Sequence, residues 1–240
     1  MNVHTTIAPT IPYTAAPDLT DLNAQFAEQP AEALLRWAAA TYADAITLTC
    51  SFGGPSGVVL LDMVVRGGFS IPVTFLDTDL LFPETYALVE QVEQHYGIIV
   101  QRQRPALSMP EQDQQEGPAL YERNPDRCCT LRKVLPLHDA LQPYQAWITG
   151  LRRDQSEQRS DTHLLQWSNR YQRVKLAPLA FWSEQQVWDY INRHDVPYNS
   201  LLGQGYRSIG CTHCTSLPAT DAPRSGRWVG FAKTECGIHL

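Results

Sequence analysis

The stretch AITLTCSFGGPSGVVLLDMVVRGGFSIPVTFLD, residues 45–77, constrains the fold more than any other. AITLTC is a short apolar run of the kind that forms a buried strand. SFGGPSG is a glycine-bearing turn. VVLLDMVVRGG has the length and spacing of a helix closed by glycines, and IPVTFLD is a second buried strand. A strand, a helix and a second strand in this order require a crossover, and crossovers of this type build parallel sheets. The pattern continues. FPETYALVEQVEQHYG reads as a helix with Pro83 in its first turn and Gly97 at its end, and IIVQR follows as a third strand. CTLRKVLPLHDAL reads as a helix, QAWITG and VKLAPL as strands, and SEQQVWDYINRH as a helix whose Ser183 and Gln186 form a capping box. The expected architecture is α/β, a mostly parallel sheet with helices on both faces.

Three regions stand outside this alternation. Residues 1–30 are rich in Pro, Thr and Ala and read as a loose N-terminal arm, ahead of the helix AEALLRWAAATYA. Residues 104–127 are polar and read as a long connection. From residue 195 the chain is rich in Gly, Pro and Ser and reads as a C-terminal tail, which gives a domain over 31–194 and a tail over 195–240.

The formal net charge is −6 over 240 residues. A chain that wraps a nucleic-acid backbone needs a basic field, so long DNA or RNA is not an expected partner. A small anion needs only a local basic cluster, and Arg152, Arg153 and Arg159 form one group while Arg224 and Arg227 form another. No segment has the length of a membrane span, and the N-terminus lacks the pattern of a signal peptide, so a cytoplasmic location is expected.

Six cysteines are present. In a reducing compartment metal ligation or thiol chemistry is the better expectation than disulfides. Cys50 ends a buried strand and reads as core. Cys211 and Cys214 have the C-x-x-C spacing that lets two thiolates meet one metal centre, and Cys128 and Cys129 are adjacent. The four suit a Cys₄ zinc site, an iron–sulfur cluster, or buried thiols beside a redox C-x-x-C. A tandem pair is easier to fit to a cluster, whose separate irons each take one sulfur. Lys133 lies four residues after Cys129, placed to offset thiolate charge or to face a ligand. In SFGGPSG the glycines let backbone N–H groups approach an anion, and Ser51 adds a hydroxyl. Cys236 lies alone near the end of the sequence.

Taken together, SFG, LDTDLLFPETY, RCCTLRK, WITGLRRDQSEQR, VPYNSLLGQGYRSIGCTHCT and ECGIH resemble the thioredoxin-dependent sulfonucleotide reductases of sulfate assimilation, the PAPS/APS reductase family. The resemblance is nearest to the iron–sulfur, adenylyl-sulfate (APS) type. It implies an adenine nucleotide α-hydrolase-like fold of the ATP-pyrophosphatase kind, and a [4Fe–4S] cluster on Cys128, Cys129, Cys211 and Cys214. It implies Cys236 as the nucleophile that takes the sulfonate, with thioredoxin or glutaredoxin as reductant. Ser51, Phe52, Gly53, Gly54, Lys133, Arg152, Arg159, Arg224, Arg227 and His239 match positions that meet the nucleotide and its phosphate–sulfate end. Asp79 stands where the family usually has glycine, and Arg207 where it has proline. The alternatives are a reductase of the 3′-phosphorylated nucleotide (PAPS), an ATP-pyrophosphatase, or a zinc-stapled binding module. Homo-oligomerisation is left open.

Overall fold

The computed structural model describes residues 15–220 and 222–239. In chain order the elements are α1 (Thr20–Phe26), α2 (Ala31–Tyr42), β1 (Ile46–Thr49), α3 (Pro55–Arg66), β2 (Val73–Leu76), α4 (Pro83–Tyr96), β3 (Val100–Gln103), α5 (Met109–Glu116), α6 (Leu120–Arg123) and α7 (Pro125–Cys129). A π-turn over Thr130–Val134 follows, then α8 (Leu135–Ala140), β4 (Ala146–Thr149), β5 (Leu165–Ser168), β6 (Arg173–Leu176) and α9 (Glu184–His194). Short 3₁₀ turns carry the chain onward. The architecture is the expected α/β fold with mostly parallel strands. No helix among the described residues is long and apolar enough to cross a membrane.

Packing divides the chain into two compact units of interleaved segments. One takes the chain up to Cys50, Ser56–Val73 and Leu141–Val196; the other takes Ser51–Pro55, Thr74–Ala140 and the chain from Pro197. The linear boundaries expected at residues 30 and 194 follow shifts in composition, whereas packing groups segments far apart in sequence.

In the first unit the strands lie in the order β1-β4-β6-β5. β1 and β4 run parallel, with Ile46 beside Ala146, and β4 and β6 run parallel, with Ala146 beside Val174. All four residues of β4 are buried, as expected for a parallel strand covered on both faces. β5 pairs antiparallel with β6 and was not foreseen. α9 starts at the Ser183–Gln186 capping box and ends at Asp195 in the left-handed region. Of the expected N-terminal arm, residues 1–14 lie outside the described residues. Beyond them the arm reading fails over Thr20–Phe26, which is helical. Asn23 exchanges hydrogen bonds with the backbone of Leu165, which gives that short helix a partner.

In the second unit β3 and β2 are neighbours. α4 begins at Pro83 and ends at Gly97, whose φ of +65° closes the helix in the left-handed form. The expected connection over 104–127 contains α5, α6 and the start of α7. α5 opens on a capping box between Ser108 and Glu111.

Candidate active site

The second unit assembles most of the expected residues, starting from the segment after β2. Asp77 is buried and accepts hydrogen bonds from the Tyr86 hydroxyl at 2.7 Å and from Arg104 at 3.3 Å. Asp79 has a φ of +58°, a conformation that costs an ordinary residue energy and glycine none. Its carboxylate holds Arg132 at 2.5 Å. Arg132 is 1% exposed and also donates to Thr78 O, Leu107 O and Gln112 Oε1. On the other side the same segment grips residues near the C-x-x-C. Thr78 Oγ1 is 3.4 Å from Cys211 Sγ, Leu81 forms a β-bridge with Cys211, and Thr212 N donates to Leu80 O at 2.8 Å. The LDTDLL stretch therefore joins the element carrying Cys128 and Cys129 to the segment carrying Cys211 and Cys214.

Cys128 and Cys129 end α7, whose start is capped by the Asn124 side chain. The turn that follows is widened, and Leu135 N reaches back five residues to Thr130 O. Wide turns of this kind are frequent at functional sites. This one carries both Arg132 and Lys133.

The cysteines form a buried set. Cys129, Cys211 and Cys214 pack with Trp228, and the half-buried Cys236 lies against them. All six cysteines are free thiols. Burial, reinforced by Cys129, Cys211 and Cys214, pushes the Cys128 thiol up to about 12. Burial likewise pushes Cys129 up to about 11, with Cys236 adding to the effect against an opposing pull from Lys133. Burial and Cys211 raise Cys214. Cys211 goes the other way: burial opposes ionisation, but the Lys133 ammonium, the Thr78 hydroxyl and Arg227 outweigh it. For Lys133, burial alone favours the neutral amine. The facing Cys211, Cys236 and Cys129 more than offset this and hold the ammonium above its ordinary range. A lysine ammonium is thus coupled electrostatically to the proposed nucleophile, Cys236, and to two of the proposed ligands, Cys211 and Cys129.

Among the described residues no three His, Cys, Asp or Glu side chains converge closely enough to hold a single metal ion. Four thiols are a donor set that suits a zinc ion or an iron–sulfur group. They are buried, uncrosslinked and electrostatically coupled to one another. Beside them the buried Trp228 Nε1 has no hydrogen-bond partner, an N–H that a sulfur acceptor would satisfy.

The arginines of the tail are held in place. Arg227 is buried, donates to Cys214 O at 3.0 Å and Ser208 Oγ at 3.3 Å, and lies 4.3 Å from the Trp228 ring centroid. A Cβ on Gly210 would stand 2.2 Å from its guanidinium, so glycine is what makes room for it. Arg224 donates to Ser208 Oγ at 3.3 Å and Thr234 O at 3.1 Å, and pairs with Glu235 at 3.4 Å. Lys233 pairs with Asp126. His239 is half-buried in the turn after Gly237.

The SFGG loop is shaped by its backbone. Ser51 is exposed and accepts from Gly53 N at 3.5 Å. Phe52 is fully buried at a φ of +52°, packs edge-on against Phe75, and accepts from Asn199 Nδ2 at 3.0 Å. Its side chain is core, so only its backbone can meet a ligand. A Cβ on Gly53 would stand 2.5 Å from Ile209 O. Gly54 has open space around its Cα.

The other two expected residues belong to the first unit. Arg152 is buried, donating to Ser56 Oγ at 2.5 Å and pairing with Asp154 at 2.9 Å. Arg159 donates to Gln155 Oε1 at 2.5 Å and faces Lys175 on β6. Sequence reasoning passed over Lys175, Thr78, Ser208 and Trp228. Of these only Lys175 carried a signal, a lone cation inside the apolar run VKLAPL.

Residues 45–217 match the phosphoadenosine phosphosulfate reductase domain. A Salinibacter ruber protein named adenosine 5'-phosphosulfate reductase is 47% identical over 224 residues, covering 92% of this chain and 88% of that one. A Staphylococcus haemolyticus protein of the same name is 42% identical over 238 residues, covering 97% of each. Among solved structures, the phosphoadenylyl-sulfate (PAPS) reductase of Candida auris in its phosphate complex aligns with a TM-score of 0.75 at 31% identity, over 85% of this chain and all of that one. The FMN adenylyltransferase of Candida glabrata, bound to FMN and an ATP analogue, aligns with a TM-score of 0.60 at 16% identity, over 86% of this chain and 70% of that one, and shares the fold alone. With a domain match over most of its length and relatives alike nearly end to end, the chain belongs to the phosphoadenosine phosphosulfate reductase family.

Proposed function

We propose that this protein reduces adenosine 5'-phosphosulfate to sulfite and AMP, with Cys236 as nucleophile and a dithiol protein, thioredoxin or glutaredoxin, as electron donor. The observation that carries the reading is the placement of Cys236, half-buried against Cys129, Cys211, Cys214 and Trp228 and within the field of the Lys133 ammonium. Support for the substrate comes from the curated relatives, named for adenosine 5'-phosphosulfate, at 42–47% identity. The PAPS reductase structure, at 31%, supports a second reading in which the 3′-phosphorylated nucleotide is taken.

The chemistry follows from the side chains. The Cys236 thiolate attacks the sulfur of the sulfate group. The bond from that sulfur to the bridging oxygen breaks, and AMP leaves with the electron pair. Cys236 then carries an S-sulfonate. A thiolate of the reductant attacks Cys236 Sγ, forms a mixed disulfide and expels sulfite with the sulfur–sulfur pair. The second reductant thiol completes the exchange and restores Cys236. Lys133, Arg224 and Arg227 stabilise charge on the transferring group and the departing phosphate, and Ser51 with the glycine N–H groups holds the same anion. Glu235 is a carboxylate next to the nucleophile, and its pairing with Arg224 offsets a charge that would oppose the thiolate.

Cys128, Cys129, Cys211 and Cys214 are proposed to hold a [4Fe–4S] cluster. When bound it staples the two cysteine segments together and sets the field around Lys133. The two electrons of the scheme come from the reductant thiols.

The test is sulfite release from APS and PAPS in parallel, with thioredoxin and anaerobically purified protein. APS is expected to be the better substrate, and Cys236→Ser to abolish release while keeping the colour of the bound cluster. Turnover by the Cys236→Ser protein would overturn the mechanism, and a preference for PAPS would overturn the substrate.

A further inference from the structure

Two arginines meet at one oxygen in the second unit. Arg224 and Arg227 both donate to Ser208 Oγ, each at 3.3 Å. Each is tied elsewhere to a different segment. Arg227 holds Cys214 O, within the C-x-x-C segment. Arg224 holds Thr234 O and the Glu235 carboxylate, the two residues that precede Cys236. Two guanidinium groups repel each other, and an oxygen placed between them screens that repulsion and fixes their spacing. A serine hydroxyl can accept from both and keep its own proton to donate.

We propose that Ser208 is a positioning residue. It yokes Arg224 to Arg227, and through Arg224 it docks the segment that carries Cys236 against the thiol set. Ser208 does not touch the reacting sulfur; it acts through the arginines. Glu235 belongs to the same device, since its carboxylate is one of the groups by which Arg224 holds the tail. The role in turnover rests on the function proposed above, but the docking itself does not require any particular substrate.

The test uses the whole protein in two arms. In the first, without nucleotide, the alkylation rate of Cys236 by iodoacetamide is read by mass spectrometry of its peptide. Ser208→Ala is expected to raise that rate about tenfold, the equivalent of one hydrogen bond to a charged group. Ser208→Thr, which keeps the hydroxyl, is expected to restore it. Glu235→Gln is expected to raise the rate too, and Ser208→Ala with Glu235→Gln to give less than the product of the single effects, because both act through Arg224. In the second arm, Ser208→Ala is expected to raise the KM for APS more than it lowers kcat. Wild-type alkylation in Ser208→Ala, or fully independent effects in the double variant, overturns the proposal whatever the substrate proves to be. Faster alkylation in a protein that does not use APS upholds the docking role and sinks only the reading of the reaction.

Discussion

Asp79 sets two effects against each other, and their sizes decide the outcome. Its φ of +58° lies where glycine is free and other residues are strained, by about 1 kcal/mol for an Asp. Replacing it by glycine recovers that amount. The same change takes the carboxylate from Arg132, a guanidinium 1% exposed whose other partners are two carbonyls and a side-chain amide. Removing one partner of a buried ion pair costs about 3–5 kcal/mol. The Asp79 side chain is 32% exposed, so solvent screening reduces the loss to roughly 2–3 kcal/mol. Asp79→Gly should therefore lose about 1–2 kcal/mol net, a fall in Tm of about 2–8 °C for a chain of this size. Asp79→Asn tolerates the same backbone form without relieving it, so it keeps the strain, loses the charge, and should fall further. Thermal unfolding of the three proteins at one scan rate gives the order: wild type highest, then glycine, then asparagine. A glycine variant more stable than wild type would show that backbone strain outweighs the ion pair, and the reasoning would fail.

Burial, with Arg159 beside it, pushes Lys175 down to about 8 from 10.5. Below pH 8 the folded chain must hold an ammonium that the unfolded chain holds more easily. At pH 7 Lys175→Met should be more stable than wild type by about 3 kcal/mol. The gap should narrow as pH rises from 8 through 10.5, above which the wild-type lysine is neutral in both states; urea unfolding at pH 7 and pH 10 reads the narrowing, and equal stability at pH 7 contradicts it. Gly53→Ala forces a Cβ against Ile209 O, a backbone atom with little room to move. Displacing the SFGG loop by about an ångström should lower kcat/KM for APS about a hundredfold. Unchanged kinetics would remove the loop from the site.

The sheet and its helices were legible because their signals are local. β1, β2 and β4 are short apolar runs, α4 has Pro83 and Gly97 at its ends, and α9 has its capping box. α5 escaped notice because MPEQDQQE is polar on every face and buries only Gln112, though Ser108 and Glu111 marked its start. β5 is four residues long, too short for the alternation of Leu165 and Trp167 with Gln166 and Ser168 to stand out. The π-turn has no local cause in TLRKV. It lies where Arg132 is pulled toward Thr78 O and Asp79, a tertiary demand that no pattern in the helix reports. The cysteines and tail arginines could be picked out because their residue types and spacings are rare. Ser208 could not, because a serine in a loop has no distinctive pattern until the two guanidiniums that meet it are seen. Phe52 shows a different limit: the loop motif does not report that its side chain is buried in the core, which leaves its backbone as the part that can meet a ligand.

The interleaving of the two units has a consequence for biosynthesis. Cys128 and Cys129 belong to a unit that also needs the chain from Pro197. At about 5–20 residues per second, the roughly eighty residues between Cys129 and Cys211 take on the order of 4–16 s to emerge from a ribosome. Throughout that interval a vicinal thiol pair exists without the C-x-x-C it is destined to meet. Vicinal thiols left waiting are open to oxidation and to stray metals. Oxygen during synthesis should therefore harm this chain more than oxygen applied to the finished fold, where the same sulfurs are buried.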